Sequence, residues 1–143
     1  MTSDSSSLYC IGFFAEHHDD PITPLPKLKE AKKGCKIPQK DKALNYLNNH
    51  PWIILIPVGG RDILLDPPNK NHGPIRYHIR TDGLWTWPEY YSYYIDKYDI
   101  EIEPNFLQYL EKRNYKVIPE SNIDFNRLDD FKGVNKSSYH SWK

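Results

Sequence analysis

Short apolar segments in the first half of the chain have the length and composition of β-strands. Leu8 to Ala15 is rich in apolar and aromatic residues, and Trp52 to Ile56 is a continuous apolar run. Both segments predict strands, and the β-branched content of the second is typical of a central strand. The turn-forming residues 58–60 lead into the apolar stretch 61–65, so a hairpin is predicted there.

Residues 75–87 carry the clearest strand pattern. Apolar and polar side chains alternate, since Ile75, Tyr77 and Ile79 take turns with Arg76, His78 and Arg80. A period of two predicts a strand with one buried and one solvated face. Asp82-Gly83 is a residue pair favoured by the type I′ turn, so the chain is predicted to return as a second strand through residues 84–87.

The aromatic segment 81–98 is predicted to pass from strand to helix. Thr86 and Glu89 have the spacing of a capping box, and Pro88 suits a first helical turn, so the helix is predicted to begin at Trp87. One stripe of this helix is predicted to be buried: Trp87, Tyr91, Tyr94, Ile95 and Tyr98. A second stripe is predicted to face outward: Tyr90, Tyr93 and Lys97.

Two further segments show helical spacing. Residues 40–48 form one, with Leu44 and Leu47 on a common face and Pro51 at the end. Pro104 suits the first turn of the other, which is predicted to end near Asn114. Its apolar face consists of Phe106, Leu107 and Leu110, and a short strand-like stretch follows at residues 115–118.

Strands early and helices late predict an α+β fold, a small antiparallel sheet with a few short helices packed on it. A length of 143 residues suits a single domain, residues 1–143. Residues 1–7 and about 132–143 are polar and are expected to be flexible. Segment 19–38 contains several prolines and is expected to cross the surface in an irregular conformation.

The charge balance narrows the function classes. The 19 Lys and Arg residues match the 19 Asp and Glu residues, so the chain lacks the broad positive field that non-specific nucleic-acid binding uses. No apolar run approaches the roughly 20 residues that cross a bilayer, and residues 1–7 do not resemble an export signal. We therefore expect a cytoplasmic protein that binds neither nucleic acid nor membrane.

Candidate catalytic and metal-binding residues are few. His17-His18-Asp19-Asp20 contains metal-ligand side chains, yet adjacent residues seldom all point at one ion, and no second His or Cys pair has ligand spacing. Cys10 and Cys35 lie in no nucleophile motif. Asp62 and Asp66 could form an acid/base pair, although turn and strand-edge positions are the plainer interpretation. We expect no enzymatic activity, no metal and no cofactor.

Residues 82–111 carry the main functional signal. Seven acidic residues fall there against Lys97 alone, although the whole chain is neutral. An acidic, tyrosine-rich helix pair would attract a basic protein partner over long range and hold it with rigid aromatic rings. The residues predicted to bind this partner are Tyr90, Tyr93, Asp96, Asp99, Glu101 and Glu103.

The chain resembles small bacterial immunity proteins in three motifs: Thr81-Asp-Gly-Leu-Trp-Thr-Trp-Pro88, the helix ending Tyr-Tyr-Ile-Asp-Lys-Tyr98, and Pro104-Asn-Phe-Leu107. Such proteins are encoded beside polymorphic toxins of the contact-dependent, Rhs or type VI kind. The similarity covers about residues 44–110, and Glu103 departs from it because an apolar residue is expected before the proline. The resemblance implies a non-catalytic cytoplasmic protein that binds and neutralises a cognate protein toxin.

Two other functions stay open on the sequence alone. A small metal-dependent hydrolase or nuclease would use His17 and His18 with Asp19, Asp20 or Asp62. A regulatory module would bind a peptide at the edge of the sheet. Nothing in the sequence indicates an oligomeric state.

Overall fold

The computed structural model describes residues 9–17, 25–65 and 73–124. Three α-helices lie within these ranges: α1 (Lys40–Asn48), α2 (Tyr90–Tyr98) and α3 (Pro104–Lys112). The strands there are β1 (Tyr9–Cys10), β2 (Trp52–Ile54), β3 (Gly59–Gly60), β4 (Ile75–Arg76), β5 (Ile79–Thr81) and β6 (Trp85–Pro88). Both chain ends that we predicted to be flexible, residues 1–7 and about 132–143, lie outside the described residues.

The main sheet has four strands in the order β1-β6-β5-β2, and β3 and β4 form a separate two-stranded sheet. The α+β class is confirmed. The sheet is mixed, however, because β1 joins β6 in parallel with Tyr9 beside Trp85, whereas the β5–β6 and β2–β5 pairs are antiparallel. Two parallel strands need a long connection between them, and the chain between β1 and β6 provides it.

The predicted hairpin between the runs 52–56 and 61–65 is wrong. Strand β2 pairs with β5 instead, and β3 pairs with β4. Residues 61–65 form a turn because the Asp62 carboxylate accepts a hydrogen bond from the N–H of Leu64 at 2.9 Å. Gly60 lets β3 approach its neighbours closely, since a Cβ there would lie 2.2 Å from the Tyr77 hydroxyl.

The β5–β6 hairpin is confirmed, with a different turn. The single strand predicted for residues 75–80 is wrong, because residues 77 and 78 separate β4 from β5 and the two strands belong to different sheets. Ile75 and Ile79 are buried and Arg76 is exposed. Gly83 has a φ of 101°, whereas Asp82 is not among the described residues with positive φ, which rules out type I′. The Asp82 carboxylate organises the turn instead, because it accepts hydrogen bonds from the backbone N–H groups of residues 84 and 85.

Helix α2 begins at Tyr90 and not at Trp87, so the predicted capping box is wrong. Strand β6 continues through Pro88, which pairs with Ile79 of β5. The Thr86 hydroxyl is not available as a cap because it points to β1 and donates to the carbonyl of Tyr9. Glu89 is the N-cap residue by position, yet its side chain makes no capping hydrogen bond. Its carboxylate accepts one from the Trp52 indole N–H, at 2.7 Å.

Helices α1 and α3 confirm the helical spacing in those segments. α1 buries Ala43, Tyr46 and Leu47. α3 buries Phe106 and Leu110, and Asn114 follows it with a φ of 55°, the left-handed conformation that ends helices. The stretch 115–118 is no strand, since its backbone runs irregularly into a 3₁₀ turn at Glu120–Asn122.

Aromatic side chains make up much of the core. Trp85 and Trp87 are both buried, and their rings lie 5.0 and 5.9 Å from that of Phe106. The Trp87 indole N–H donates to the carbonyl of Leu47, which links the sheet to α1. These contacts place both indoles inside the molecule and confirm their predicted structural role.

Candidate functional site

Tyr90 is buried, so its predicted outward position is wrong. It is 1% exposed. Its ring lies 4.7 Å from the His17 ring, and its hydroxyl accepts a hydrogen bond from the N–H of Phe14 at 3.1 Å. The N-terminal segment 11–17 therefore covers a second face of α2. The periodicity of one helix does not reveal this cover, because it comes from a segment distant in sequence.

Glu103 is also buried, at 2% exposure, and has a structural role. It is the N-cap of α3, and its carboxylate accepts a hydrogen bond from the N–H of Phe106 at 3.1 Å. A carboxylate at this position satisfies a free N–H group and interacts favourably with the helix dipole. This role explains why an acidic residue precedes Pro104, where the resemblance predicts an apolar one.

The other four predicted contact residues lie along α2 and just beyond it. Tyr93 is half-buried and donates to the Asp62 carboxylate at 2.7 Å. Asp99 has a left-handed φ of 52°, and its carboxylate lies 2.6 Å from the Lys40 ammonium group. The hydrogen bond to Asp99 raises the pKa of Lys40. Asp96 is exposed and Glu101 is partly exposed.

A lysine-containing segment runs beside these acids. The N–H of Gly34 donates to the carbonyl of residue 98, the N–H of Cys35 donates to that of Asp99, and the N–H of Glu101 donates to that of Lys32. The exposed lysines 32, 33 and 36 are thus brought next to the acidic end of α2. Their charges oppose the negative field that the sequence of α2 predicts.

The seven acidic residues of segment 82–111 do not share one face, which is a correction to the predicted acidic surface. Asp82 and Glu103 are buried, and Glu89 forms an ion pair with Arg80 at 3.1 Å. Buried carboxylates need donors, and the fold provides them from its own tyrosines and backbone N–H groups. Asp96, Asp99, Glu101 and Glu111 remain at least partly exposed.

Asp82 is the centre of a buried hydrogen-bond cluster that joins α1, the β5–β6 turn and α3. One carboxylate oxygen accepts from the hydroxyls of Tyr46 and Tyr109, the second of these at 2.8 Å. The other oxygen accepts from the backbone N–H groups of Leu84 and Trp85 at 2.9 and 2.8 Å. Burial raises the pKa of both tyrosines, and the nearby Asp82 charge adds to it, so the phenols remain protonated donors.

Asp62 is the centre of a second buried cluster. It is fully buried, and one carboxylate oxygen accepts from the hydroxyls of Tyr93 and Tyr98, both at 2.7 Å. Burial and the Asp62 carboxylate raise the pKa of Tyr98 to about 12 and also raise that of Tyr93. Neither phenol is an activated base, so this cluster holds the turn at 61–65 on α2. Asp66, which with Asp62 was the less favoured acid/base pair, lies outside the described residues.

His17 is held between two tyrosines. Its Nδ1 lies 3.1 Å from the Tyr77 hydroxyl and its Nε2 lies 2.8 Å from the Tyr94 hydroxyl. Burial lowers the pKa of His17. The other residues of the candidate metal-ligand segment, residues 18–20, lie outside the described residues. Within the described residues, no group of three His, Cys, Asp or Glu side chains is suited to a metal. Cys10 is buried, and Cys35 is half-buried.

A surface that the sequence analysis did not predict lies along β2 and the residues after it. Trp52, Leu55 and Val58 are 47%, 62% and 56% exposed. β2 is the last strand of its sheet, and no described strand pairs with its outer side. Exposed apolar side chains along a strand edge that no described strand covers are typical of a protein-binding edge. We call this surface the apolar edge.

The apolar edge adjoins a face with arginines. The Arg80 guanidinium lies 4.9 Å above the Trp52 ring, and the His78 ring lies 5.1 Å from that ring. Arg76 is exposed on β4 and lines one cavity together with Arg80 of β5. We call these two residues the arginine face. The alternation in residues 75–80 predicts a solvated face, but it does not predict that Arg76 and Arg80 line one cavity.

The described residues contain no helix that is long and apolar enough to cross a membrane. No protein-family model, curated protein or solved structure matches the chain.

Proposed function

We propose that this chain is an immunity protein that binds a bacterial protein toxin and neutralises it by contact, without catalysis of its own. The observation that supports the proposal best is the apolar edge, in which Trp52, Leu55 and Val58 are exposed along an edge strand whose outer side no described strand covers. The three motifs between residues 81 and 107 resemble those of immunity proteins, and this resemblance supports a bacterial toxin as the partner. Those motifs form the scaffold, and the apolar edge forms the contact.

The apolar edge can supply the energy that a specific complex needs. Removing a Leu or Val side chain from water contributes about 1.5–3 kcal/mol. Tryptophan is enriched among the residues that dominate binding energies. The outer side of β2, which no described strand covers, can in addition pair with a strand from the partner, and this pairing fixes the partner's register. The proposed occupant is an extended segment of the toxin with apolar side chains.

The buried ionisable groups support a non-catalytic role. The Asp62 and Asp82 carboxylates each accept hydrogen bonds from two tyrosines and from the backbone. Both ring nitrogens of His50 are also used, because Nδ1 lies 2.7 Å from the carbonyl of Tyr46 and Nε2 accepts from the N–H of Ile118. A general acid or base must reach the substrate, whereas both oxygens of each carboxylate and both ring nitrogens of His50 already have partners within the fold.

The test is growth rescue in bacteria that express the toxin encoded next to this chain's own gene. The wild-type chain is expected to restore growth and to bind the purified toxin domain in calorimetry. A toxin that still kills in the presence of excess folded chain, with no heat of binding, would refute the proposal.

The contact surface is tested with two double variants. Leu55→Asn with Val58→Thr keeps the side-chain shape and removes apolar surface, and about tenfold weaker binding is expected for each residue. Asp96→Asn with Glu101→Gln is the control at the acidic end of α2, where no change is expected. All four positions are at least partly exposed, so melting temperatures should remain near that of the wild type. Loss of binding in the second variant alone would place the contact on α2.

A further inference from the structure

A cavity of about 200 Å³ opens between the arginine face and the start of α2. Its charged lining residues are Arg76, Arg80 and Glu89, so two guanidinium groups face one carboxylate. The polar and apolar remainder of the lining comes from Asn48, Pro74, Tyr90, Ser92 and Tyr93. The cavity is large enough for one side chain.

Glu89 binds donors of the fold through its Oε1 atom, and the two guanidinium groups leave the lining of the cavity with one net positive charge. This oxygen accepts from both the Trp52 indole N–H and the Arg80 Nη2, at 2.7 and 3.1 Å. The Arg80 Nε is buried and has no hydrogen-bond acceptor among the described residues. A buried donor without a partner is costly, and a bound acceptor would remove that cost.

Arg76 and Asn48 add further donors. Arg76 is exposed and forms no ion pair with any residue of the described ranges. The Ser92 hydroxyl donates to the Asn48 side-chain oxygen at 2.6 Å, so that oxygen is occupied and the Asn48 amide N–H groups are left to donate. The first backbone N–H groups of the nine-residue helix α2 lie in the same region without a side-chain cap, and such groups favour anions.

We propose that this cavity binds one carboxylate group, supplied by an Asp or Glu side chain of the protein that docks on the apolar edge. The inference rests on the proposed function for the identity of that protein, but the chemistry of the cavity stands on the chain alone. Trp52 connects the two surfaces, because it belongs to the apolar edge and contacts both Arg80 and Glu89. A partner segment on β2 thus passes directly beside the cavity.

The charge of the cavity favours a carboxylate over a phosphate group. Two guanidinium groups with one fixed carboxylate compensate a single negative charge, whereas phosphate carries nearly two at neutral pH. The planar fork of a guanidinium also matches a carboxylate in a bidentate pair. The partner is therefore expected to present an acidic side chain here, in contrast to the basic surface that the sequence predicts.

The test titrates the isotope-labelled chain alone with acetate and, separately, with inorganic phosphate, and follows backbone and indole N–H signals by NMR. Single-carboxylate binding is expected to be weak, so acetate is raised to about 100 mM at constant ionic strength. Saturable shifts confined to residues 89–92 and the Trp52 indole are expected. Absence of saturable acetate shifts, or tighter binding of phosphate than of acetate, overturns the inference.

Matched variants test whether Arg76 is the cation that binds the carboxylate. Arg76→Gln is expected to weaken acetate binding about tenfold, Arg76→Lys should restore part of it, and Lys112→Gln, an exposed cation on α3, should leave it unchanged. An Arg76→Gln variant that binds acetate as the wild type does would overturn the assignment. These titrations need no toxin, so they fail independently of the growth-rescue assay.

Against the toxin, Arg76→Gln should weaken binding about tenfold and reduce its salt dependence. Acetate binding without growth rescue would refute the toxin as the source of the carboxylate. Growth rescue without acetate binding would refute the cavity and leave the proposed function intact.

Discussion

Replacing Asp82 by Asn tests whether the buried cluster around this residue holds the fold together. Asn has nearly the same shape as Asp and can still accept the backbone hydrogen bonds of the turn through its carbonyl oxygen. Its NH₂ group, however, is a donor where the hydroxyls of Tyr46 and Tyr109 also donate. The substitution therefore breaks the links from the β5–β6 turn to α1 and α3 while it leaves the packing volume unchanged.

The size of the effect follows from the number of hydrogen bonds lost. A hydrogen bond to a charged group contributes about 1.5–3 kcal/mol to stability. Burying a neutral amide costs less hydration free energy than burying a carboxylate, which offsets part of the loss. We therefore apply the lower value to each of the two hydrogen bonds from tyrosine, and the unfolding free energy is expected to fall by about 3 kcal/mol. For a chain of this length that loss lowers Tm by about 10 °C.

Chemical and thermal denaturation of four variants measure this prediction. The set consists of Asp82→Asn, Tyr109→Phe, the double variant, and Asp96→Asn as the control, since Asp96 is an exposed acid on α2. Tyr109→Phe should cost about 1.5 kcal/mol in the wild-type background and much less in the Asp82→Asn background, because the charged acceptor is then absent. The control should change stability by less than about 0.5 kcal/mol.

Two results would refute the reasoning. One is an Asp82→Asn protein whose unfolding free energy equals that of the control variant. The other is a cost of Tyr109→Phe that is the same in both backgrounds, since additivity would mean that hydroxyl and carboxylate are not coupled.

Four further outcomes are expected. Burial lowers the pKa of His50 below its ordinary 6.5, so the unfolded chain binds the proton before the folded chain does as pH falls. The contribution of His50 to stability is therefore constant above about pH 6.5 and declines below it. The melting temperature of His50→Gln should fall less than that of the wild type over the same acidic range. Gly12→Ala should destabilise by more than about 3 kcal/mol in urea unfolding, because its φ is 82° and the new Cβ would lie 2.5 Å from the Tyr91 ring. Gly34→Ala, with a φ of 68° and open space, should cost only about 1 kcal/mol. Glu103→Ala should lower stability by about 1 kcal/mol through loss of the α3 cap, measured in the same way.

The local pattern predicted the elements that depend on local interactions. α1 and α3 follow from the spacing of Leu47, Phe106 and Leu110, and the β5–β6 hairpin follows from alternation and a glycine. These elements bury one face each, which is the situation that hydrophobic periodicity describes. The fold class was predictable for the same reason.

The errors lie where distant segments decide the outcome. Tyr90 is covered by residues 11–17, and the stretch 61–65 is held as a turn by Asp62 and two tyrosines of α2. Neither contact leaves a periodic trace in the sequence, since each links residues more than 30 positions apart. The abundance of tyrosine with aspartate was the available signal: a phenol can bury its ring and still donate to a carboxylate.

The charge of the partner is the point at which sequence and structure lead to different expectations. Counting charges along residues 82–111 treats every carboxylate as exposed, yet tyrosines and helix ends bind several of them, and the lysines at 32–36 lie beside those that remain. Among the described residues, Glu89 is the only acidic residue that forms an ion pair with the arginine face. A long-range attraction at the apolar edge must then act on negative charge. Arg76→Gln should therefore slow association with the toxin at low salt while Asp96→Asn leaves it unchanged, and the reverse result would restore the basic partner that the sequence predicts.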